Sequence, residues 1–144
     1  MFWARLEFIV ARLLEFGSFS SRYCLSPKRV GQIGERLACA YLRDSGYKFI
    51  EKNYRSDRGE IDLIMTDSNE LVFVEVKTRQ SIYGASFVFD SISKAQQAKL
   101  SATGRRYLSE RLGKKWRGKY RFDAIGVILV NERLASIRVL KRFL

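Results

Sequence analysis

Asp62, Glu75 and Lys77 are the residues whose types and spacing can do hydrolytic chemistry. Along a strand, side chains alternate between faces, so Glu60, Asp62 and Ile64 share one face of the run Glu60 to Thr66. In Leu71 to Thr78, Leu71, Phe73, Glu75 and Lys77 share one face, and Val72, Val74 and Val76 take the other. That run is apolar on both sides until its end, as a central strand is. An ionised glutamate there is costly unless it is paired or binds a metal. If Ser68 and Asn69 form a two-residue hairpin loop, Asp67 faces Glu70, and counting back along both strands puts Asp62 opposite Glu75. Such neighbours have Cβ atoms about 4.5 to 5.5 Å apart, where like charges repel unless a cation lies between them. Two carboxylates so placed can share one divalent ion, and hard oxygen ligands point to Mg²⁺ or Mn²⁺. Lys77, on the same face, can orient or help deprotonate a metal-bound water and stabilise negative charge on a phosphate. The plainer alternative is that Asp62 and Glu75 only make ion pairs with Lys77 or with arginines on the sheet.

Composition narrows the chemistry further. The chain has no histidine, which removes histidine metal sites, HNH-type nuclease chemistry and every triad with an imidazole base. Cys24 and Cys39 are far apart and without CxxC spacing, so neither a disulfide framework nor a zinc knuckle is indicated, and a reducing cytoplasm fits. The 144 residues, 47% hydrophobic, are enough for one compact domain. The 27 basic and 15 acidic residues give a formal charge of +12, which points to a polyanionic partner, nucleic acid or an acidic membrane surface. Residues 91 to 144 hold 14 Lys/Arg against 3 Asp/Glu, so nearly all the excess is C-terminal. A solvated, merely solubilising face is the other reading of that excess.

The elements that must position these residues follow from periodicity. Residues 1 to 16 place Phe2, Leu6, Ile9, Leu13 and Phe16 at helical spacing among charges, which predicts an amphipathic helix. It is too charged for a secretory signal or a membrane span, and fits packing on the domain or on another protomer, or contact with a membrane surface. Residues 17 to 30, with Gly, four Ser and the only Pro, read as a linker, dividing an N-terminal segment 1–30 from a domain 31–144. Ile33, Leu37, Ala40 and Tyr41 predict a helix from Gly31 to Ser45, stopped by Gly46. Strands follow over Tyr47 to Arg55, Glu60 to Thr66 and Leu71 to Thr78, separated by turn residues. A helix over Ser93 to Leu112 and strands near Tyr120 to Val130 and Leu134 to Leu140 complete the order α-β-β-β-α-β-β, a mixed α/β domain with no internal repeat.

GERLACAYLRDSGYKFIEKNYRSDRGEIDLIM, followed by LVFVEVKTR and later RFDAI, resembles the bacterial YraN-like family (uncharacterised protein family 0102). That family belongs to the PD-(D/E)xK restriction-endonuclease-like superfamily and is similar to archaeal Holliday junction resolvases. The resemblance spans roughly residues 31 to 130 and implies a three-layer core around a central mixed sheet. It also implies a metal held by Asp62, Glu75 and the Val76 backbone carbonyl, with Lys77 assisting the attacking water. Glu35, in GERLA, matches a helix glutamate that resolvase-like members place near the metal; a first-turn glutamate favouring its helix N-terminus is the alternative. Ile61 stands where the name-giving motif has proline.

Arg55, Arg58 and Arg79 flank the strands, and Lys94, Gln96, Gln97 and Lys99 open the second long helix. By resemblance, Lys94 and Gln97 are candidates to hold DNA phosphates or the nucleophile; surface ion pairing is the alternative for each. Arg105, Arg106, Arg111, Lys114, Lys115, Arg117, Lys119 and Arg121 form a basic run interleaved with Tyr107, Trp116 and Tyr120, suited to phosphates and stacked bases. Tyr107 also falls at helical spacing for the core. The leading expectation is a metal-dependent nuclease acting on DNA, at junctions or repair intermediates, with a homodimer favoured because two strands need two sites. The alternatives are a non-catalytic nucleic-acid-binding module of the same fold and a membrane-surface or scaffold protein using residues 1–16.

Overall fold

Ser26 and Pro27 set where the first long helix begins. The Ser26 hydroxyl accepts a hydrogen bond from the Arg29 backbone N–H at 3.3 Å, and Pro27 occupies the first helical position, where its missing N–H costs nothing. The computed structural model describes residues 9–12, 25–80, 89–131 and 134–144. Their order is β1 (Ile9–Arg12), α1 (Pro27–Asp44), β2 (Lys48–Ser56), β3 (Gly59–Asp67), β4 (Glu70–Gln80), α2 (Lys94–Tyr107), β5 (Lys119–Asn131) and β6 (Leu134–Leu140). A π-helical turn, Leu108–Leu112, continues α2. Among the described residues no helix is long and apolar enough to cross a membrane.

Two expectations are corrected. The linker read over 17–30 gives way to helix at Pro27, because a proline in a helix's first turn starts the helix rather than breaking it. Residues 17–24 lie outside the described residues. Ile9–Arg12, inside the amphipathic helix read over 1–16, is a strand antiparallel to β6, with Ile9 opposite Ile137 and Arg12 opposite Leu134. The open edge of β6 supplies backbone partners, and β-branched Ile9 and Val10 suit a strand, so pairing overrides helical spacing. The remaining residues of that helix lie outside the described residues.

The sheet order is β1-β6-β5-β4-β3-β2, with β4 and β5 parallel and every other pair antiparallel. The Ser68-Asn69 hairpin forms as its residues predict: Ser68 takes a positive φ of 57°, and Asp67 pairs with Glu70. Among the described residues, each face of the sheet carries one helix. Leu37, Ala38, Tyr41 and Leu42 of α1 pack on Leu63, Met65, Val72, Val74, Ile125 and Val127. Leu100 and Tyr107 of α2 pack on Ile61, Ile64, Leu71, Phe73 and Phe122. The fold is thus mixed α/β, with a mixed sheet between helices. α1 comes close to the sheet at Gly34, where an added methyl would overlap the Thr78 side chain.

The alternation along β3 is broken at one place, beside Asp62. Ile61 and Ile64, three residues apart, both belong to the α2-side cluster, while Leu63 faces α1. Across the pairing, Asn53 of β2 holds a positive φ of 54° between Lys52, opposite Leu63, and Tyr54, opposite Ile61. The local twist turns both strands over, and Asp62 sits at that turnover.

Candidate active site

A fork in the sheet creates the cleft. β3 and β4 pair from Asp67 and Glu70 up to Leu63 and Val74, so the predicted register holds and direct pairing stops one step short of Asp62 and Glu75. There the Asp62 carboxylate takes the place of a backbone partner, accepting the Val76 N–H on Oδ2 at 2.7 Å. β4 continues alongside β5, with Lys77 level with Gly126. The opening is a cleft of about 750 Å³ floored by Asp62, Glu75, Val76 and Lys77, with Arg55 and Glu60 on one lip and Ser93, Gln96 and Lys99 on the other.

Glu75 is 6% exposed and is gripped from two sides. Lys77 Nζ lies 2.7 Å from its Oε1, and Gln96 Nε2 donates to the same oxygen at 2.6 Å. Burial, and next the nearby Glu75 charge, push the Asp62 carboxyl up to about 7; Glu35 adds to this, while the Val76 N–H and Lys77 oppose it. One ammonium therefore faces two carboxylates, a deficit that a divalent cation would fill. The hydrogen bonds described fall on Asp62 Oδ2 and Glu75 Oε1, which leaves Oδ1 and Oε2 as the oxygens to meet such an ion. Among the described residues no group of three or more His, Cys, Asp or Glu is placed to hold a metal. A cation here would have two carboxylates and would complete its shell with carbonyl and water, which suits Mg²⁺ or Mn²⁺.

The other expected residues fall at different distances from this cleft. Glu35 lines a separate groove of about 390 Å³ beside Cys39, Arg43, Phe49 and Lys52, on the α1 side. Its carboxyl is raised by burial against a hydrogen bond with Asn53, and its charge reaches Asp62 and Glu75 without joining them. Arg55 stands on the lip, paired with Glu60 at 3.3 Å. Arg79 donates to the Thr78 carbonyl at 3.2 Å, at the exposed end of β4. Lys94 is exposed on the first turn of α2 and Gln97 turns back to the Ile92 carbonyl at 3.2 Å, so neither lines the cleft. Arg105 bonds Ser101, and Arg106 pairs with Asp57 and Glu110, also outside the cleft.

Gln96 is the cleft residue that spacing had not singled out. A signal for it exists: Ser93-x-x-Gln96 has the form of a capping box, and the Ser93 hydroxyl does accept the Gln96 N–H at 3.2 Å. A capping glutamine would reach back to the cap, whereas the packing of α2 over β4 turns this one to Glu75.

Arg121, expected within the polyanion-binding run, is instead buried at 7% exposure. Its Nε bonds both Asp123 oxygens at 3.0 Å, its NH1 bonds Glu70 at 2.8 Å, and its NH2 bonds Asp67 at 2.8 Å and the Tyr47 hydroxyl at 3.0 Å. Arg142 adds its N–H to Asp123 at 2.9 Å and its guanidinium to Glu70 at 2.7 Å. This cluster ties the β3–β4 hairpin to β5 and to the C-terminal residues. Tyr107, as its helical spacing predicted, is core, 3% exposed.

The family model described as "Uncharacterised protein family UPF0102" matches residues 34–127, which include Asp62, Glu75, Lys77 and Gln96. A UPF0102 protein of Moorella thermoacetica is 40% identical over 119 residues, 81% of this chain and 96% of its own length. One of Caldanaerobacter subterraneus is 37% identical over 115 residues, covering 80% and 92% of the two chains. One of Alkaliphilus oremlandii is 43% identical over 112 residues, covering 74% and 90%. With a match of that extent and relatives aligned over nearly their whole length, the chain belongs to the UPF0102 family, the YraN-like family its motifs resemble.

Proposed function

We propose that the protein is a metal-dependent phosphodiesterase of restriction-endonuclease-like architecture that hydrolyses DNA. The observation that carries this is the convergence of Asp62, Glu75 and Lys77 in one cleft with more negative charge than Lys77 offsets. Mg²⁺ or Mn²⁺ bound there supplies Lewis-acid polarisation of a phosphate and of its attacking water. Gln96 and Lys77 hold Glu75 by one oxygen, which fixes the direction of the other. Lys77, at the cleft wall, places a positive charge where phosphoryl oxygens would gain negative charge. The exposed cations Lys94 and Lys99 at the start of α2 and the overall charge of +12 favour a polyanionic substrate. Junction or repair intermediates are the substrate class that the resolvase resemblance supports, and a homodimer would supply a second cleft for a second strand.

A non-catalytic nucleic-acid-binding module is the second reading, favoured by one observation: Glu35 sits in its own groove and Glu60, on the lip, is paired with Arg55, so the cleft floor itself has two carboxylates. Calorimetry with Mn²⁺ and cleavage of branched DNA separate the two. The phosphodiesterase expects Mn²⁺ uptake and cleavage by the wild type, both lost in folded Glu75→Ala. Equal cleavage by wild type, Glu75→Ala and Lys77→Ala would overturn it.

A further inference from the structure

The structure divides the basic run into neutralised and uncompensated parts. Arg106 pairs with Asp57 and Glu110, Arg111 pairs with Glu51 at 3.2 Å, and Arg121 is buried among carboxylates. By contrast Lys114, Lys115, Arg117 and Lys119 are exposed, and none has an ion-pair partner among the described residues. They fall within six residues, on the turn between the end of α2 and the start of β5.

This turn has a definite shape and place. The Trp116 N–H bonds the Gly113 carbonyl at 3.1 Å, and Arg117 NH1 donates to the carbonyls of Lys114 at 3.1 Å and Trp116 at 2.9 Å. The Trp116 ring lies against Gly118, where an added methyl would overlap it. Its centroid is 6.3 Å from that of Tyr120, whose ring is 6.0 Å from that of Phe73. Phe73 lies on the same face of β4 as Glu75, so the Trp116 and Tyr120 rings of the turn lie on the same side of the sheet as the cleft. Lys119 is level with Glu70 on the paired strand, seven residues before Lys77. At about 3.3 Å per residue Lys119 is about 23 Å from Lys77 of the cleft.

We propose that the Lys114–Lys119 turn is a second phosphate-binding surface for the same nucleic acid, gripping the duplex about seven base pairs from the cleft at about 3.4 Å per pair. Tyr120, 40% exposed, and Trp116 give the cations an aromatic backing fixed to the core through Phe73. A duplex shorter than the separation reaches one surface, and a longer one reaches both. The inference rests on the phosphodiesterase reading only in taking the cleft as the place where the first contact is made.

The test compares wild type with the combined variant K114S, K115S and K119S, which leaves the carbonyl contacts of Arg117 intact. Fluorescence anisotropy in EDTA would use DNA hairpins with stems of about 5 and about 20 base pairs, either side of the proposed span. The variant is expected to lose at least about tenfold in affinity for the long stem and to flatten its log K against log salt slope by about 3, with the short stem unchanged. Unchanged affinity and slope on the long stem, or equal losses on both stems, would overturn the proposal. So would loss of binding to vesicles of phosphatidylglycerol with DNA binding retained, which would make the turn a membrane contact. Should the triple variant fail to fold, K115E read on the same two stems decides by the same length dependence. Mn²⁺ calorimetry on the same proteins in EDTA-free buffer keeps the readings apart: no uptake by wild type overturns the metal site, while the length dependence decides the turn.

Discussion

β3 and β4 carry two acid pairs, Asp67 with Glu70 beside the hairpin turn and Asp62 with Glu75 where the strands part, and the surroundings treat them in opposite ways. At the turn, Arg121, Arg142 and Lys141 meet Asp67, Glu70 and the fully buried Asp123, three cations for three carboxylates. Burial pushes Glu70 up, but the hydrogen bonds from Arg121 and Arg142 outweigh it and hold the carboxyl below its ordinary value. At the fork, Lys77 faces Asp62 and Glu75 together, and Asp62 rises to about 7 because burial and like charge are not offset. Carboxylates matched by cations hold a hairpin to the rest of the domain; carboxylates left short of a cation make a place for a ligand that brings one.

Removing the charge balance at the turn should have the largest effect. Arg121→Ala leaves Asp67, Glu70 and Asp123 with one cation fewer in a buried setting, and urea unfolding should show a loss of about 3 to 5 kcal/mol. A loss under about 1 kcal/mol would erase the distinction between the two clusters. At the fork, Glu75→Ala should keep its fold yet lose about 10²- to 10³-fold in cleavage rate with Mn²⁺, read by gel assay on branched DNA.

Stability against pH sharpens the same contrast. The folded-state pKa of Asp62 is raised above its ordinary 3.8 to about 7, so the native state holds a proton that the unfolded chain releases. Its contribution to stability is complete below about pH 4 and is lost as pH rises through about 7. In metal-free buffer Asp62→Asn should therefore gain on the order of 1 to 3 kcal/mol over wild type at alkaline pH and nothing at acid pH, by thermal melts across the range. Added Mn²⁺ should stabilise wild type and leave Asp62→Asn unmoved; a metal response in both would place the ion elsewhere.

The smallest effect is expected at Gln96. Gln96→Ala removes one hydrogen bond to a charged oxygen and should weaken Mn²⁺ binding by about 1 to 2 kcal/mol in calorimetry, while Gln97→Ala should change it by less than about 0.5 kcal/mol. Reversal of that order would show that the first turn of α2 is not set on Glu75 as described.

Much of this was legible in the residues themselves. A two-residue turn at Ser68-Asn69 sets the β3–β4 register from Asp67 and Glu70 upward, and period-two alternation sends Glu75 and Lys77 to one face. Those are local rules, decided within a few residues along the chain. What local spacing cannot decide is which distant group arrives. Gln96 reaches Glu75 while its neighbour Gln97 turns back to the Ile92 carbonyl, and Glu35, on α1, lines a groove on the α1 side of the sheet. Arg121 looks like its basic neighbours until three carboxylates from β3, β4 and β5 surround it. Ile9–Arg12 reads as helix until the edge of β6 offers backbone partners. By itself the sequence determined strands β2 to β6, the turn and the face that bears the acidic pair, because those follow from neighbours in the chain. Only the tertiary structure decided which charges were cancelled and which were left uncancelled, because that balance is set by groups far apart in sequence and packed together in space.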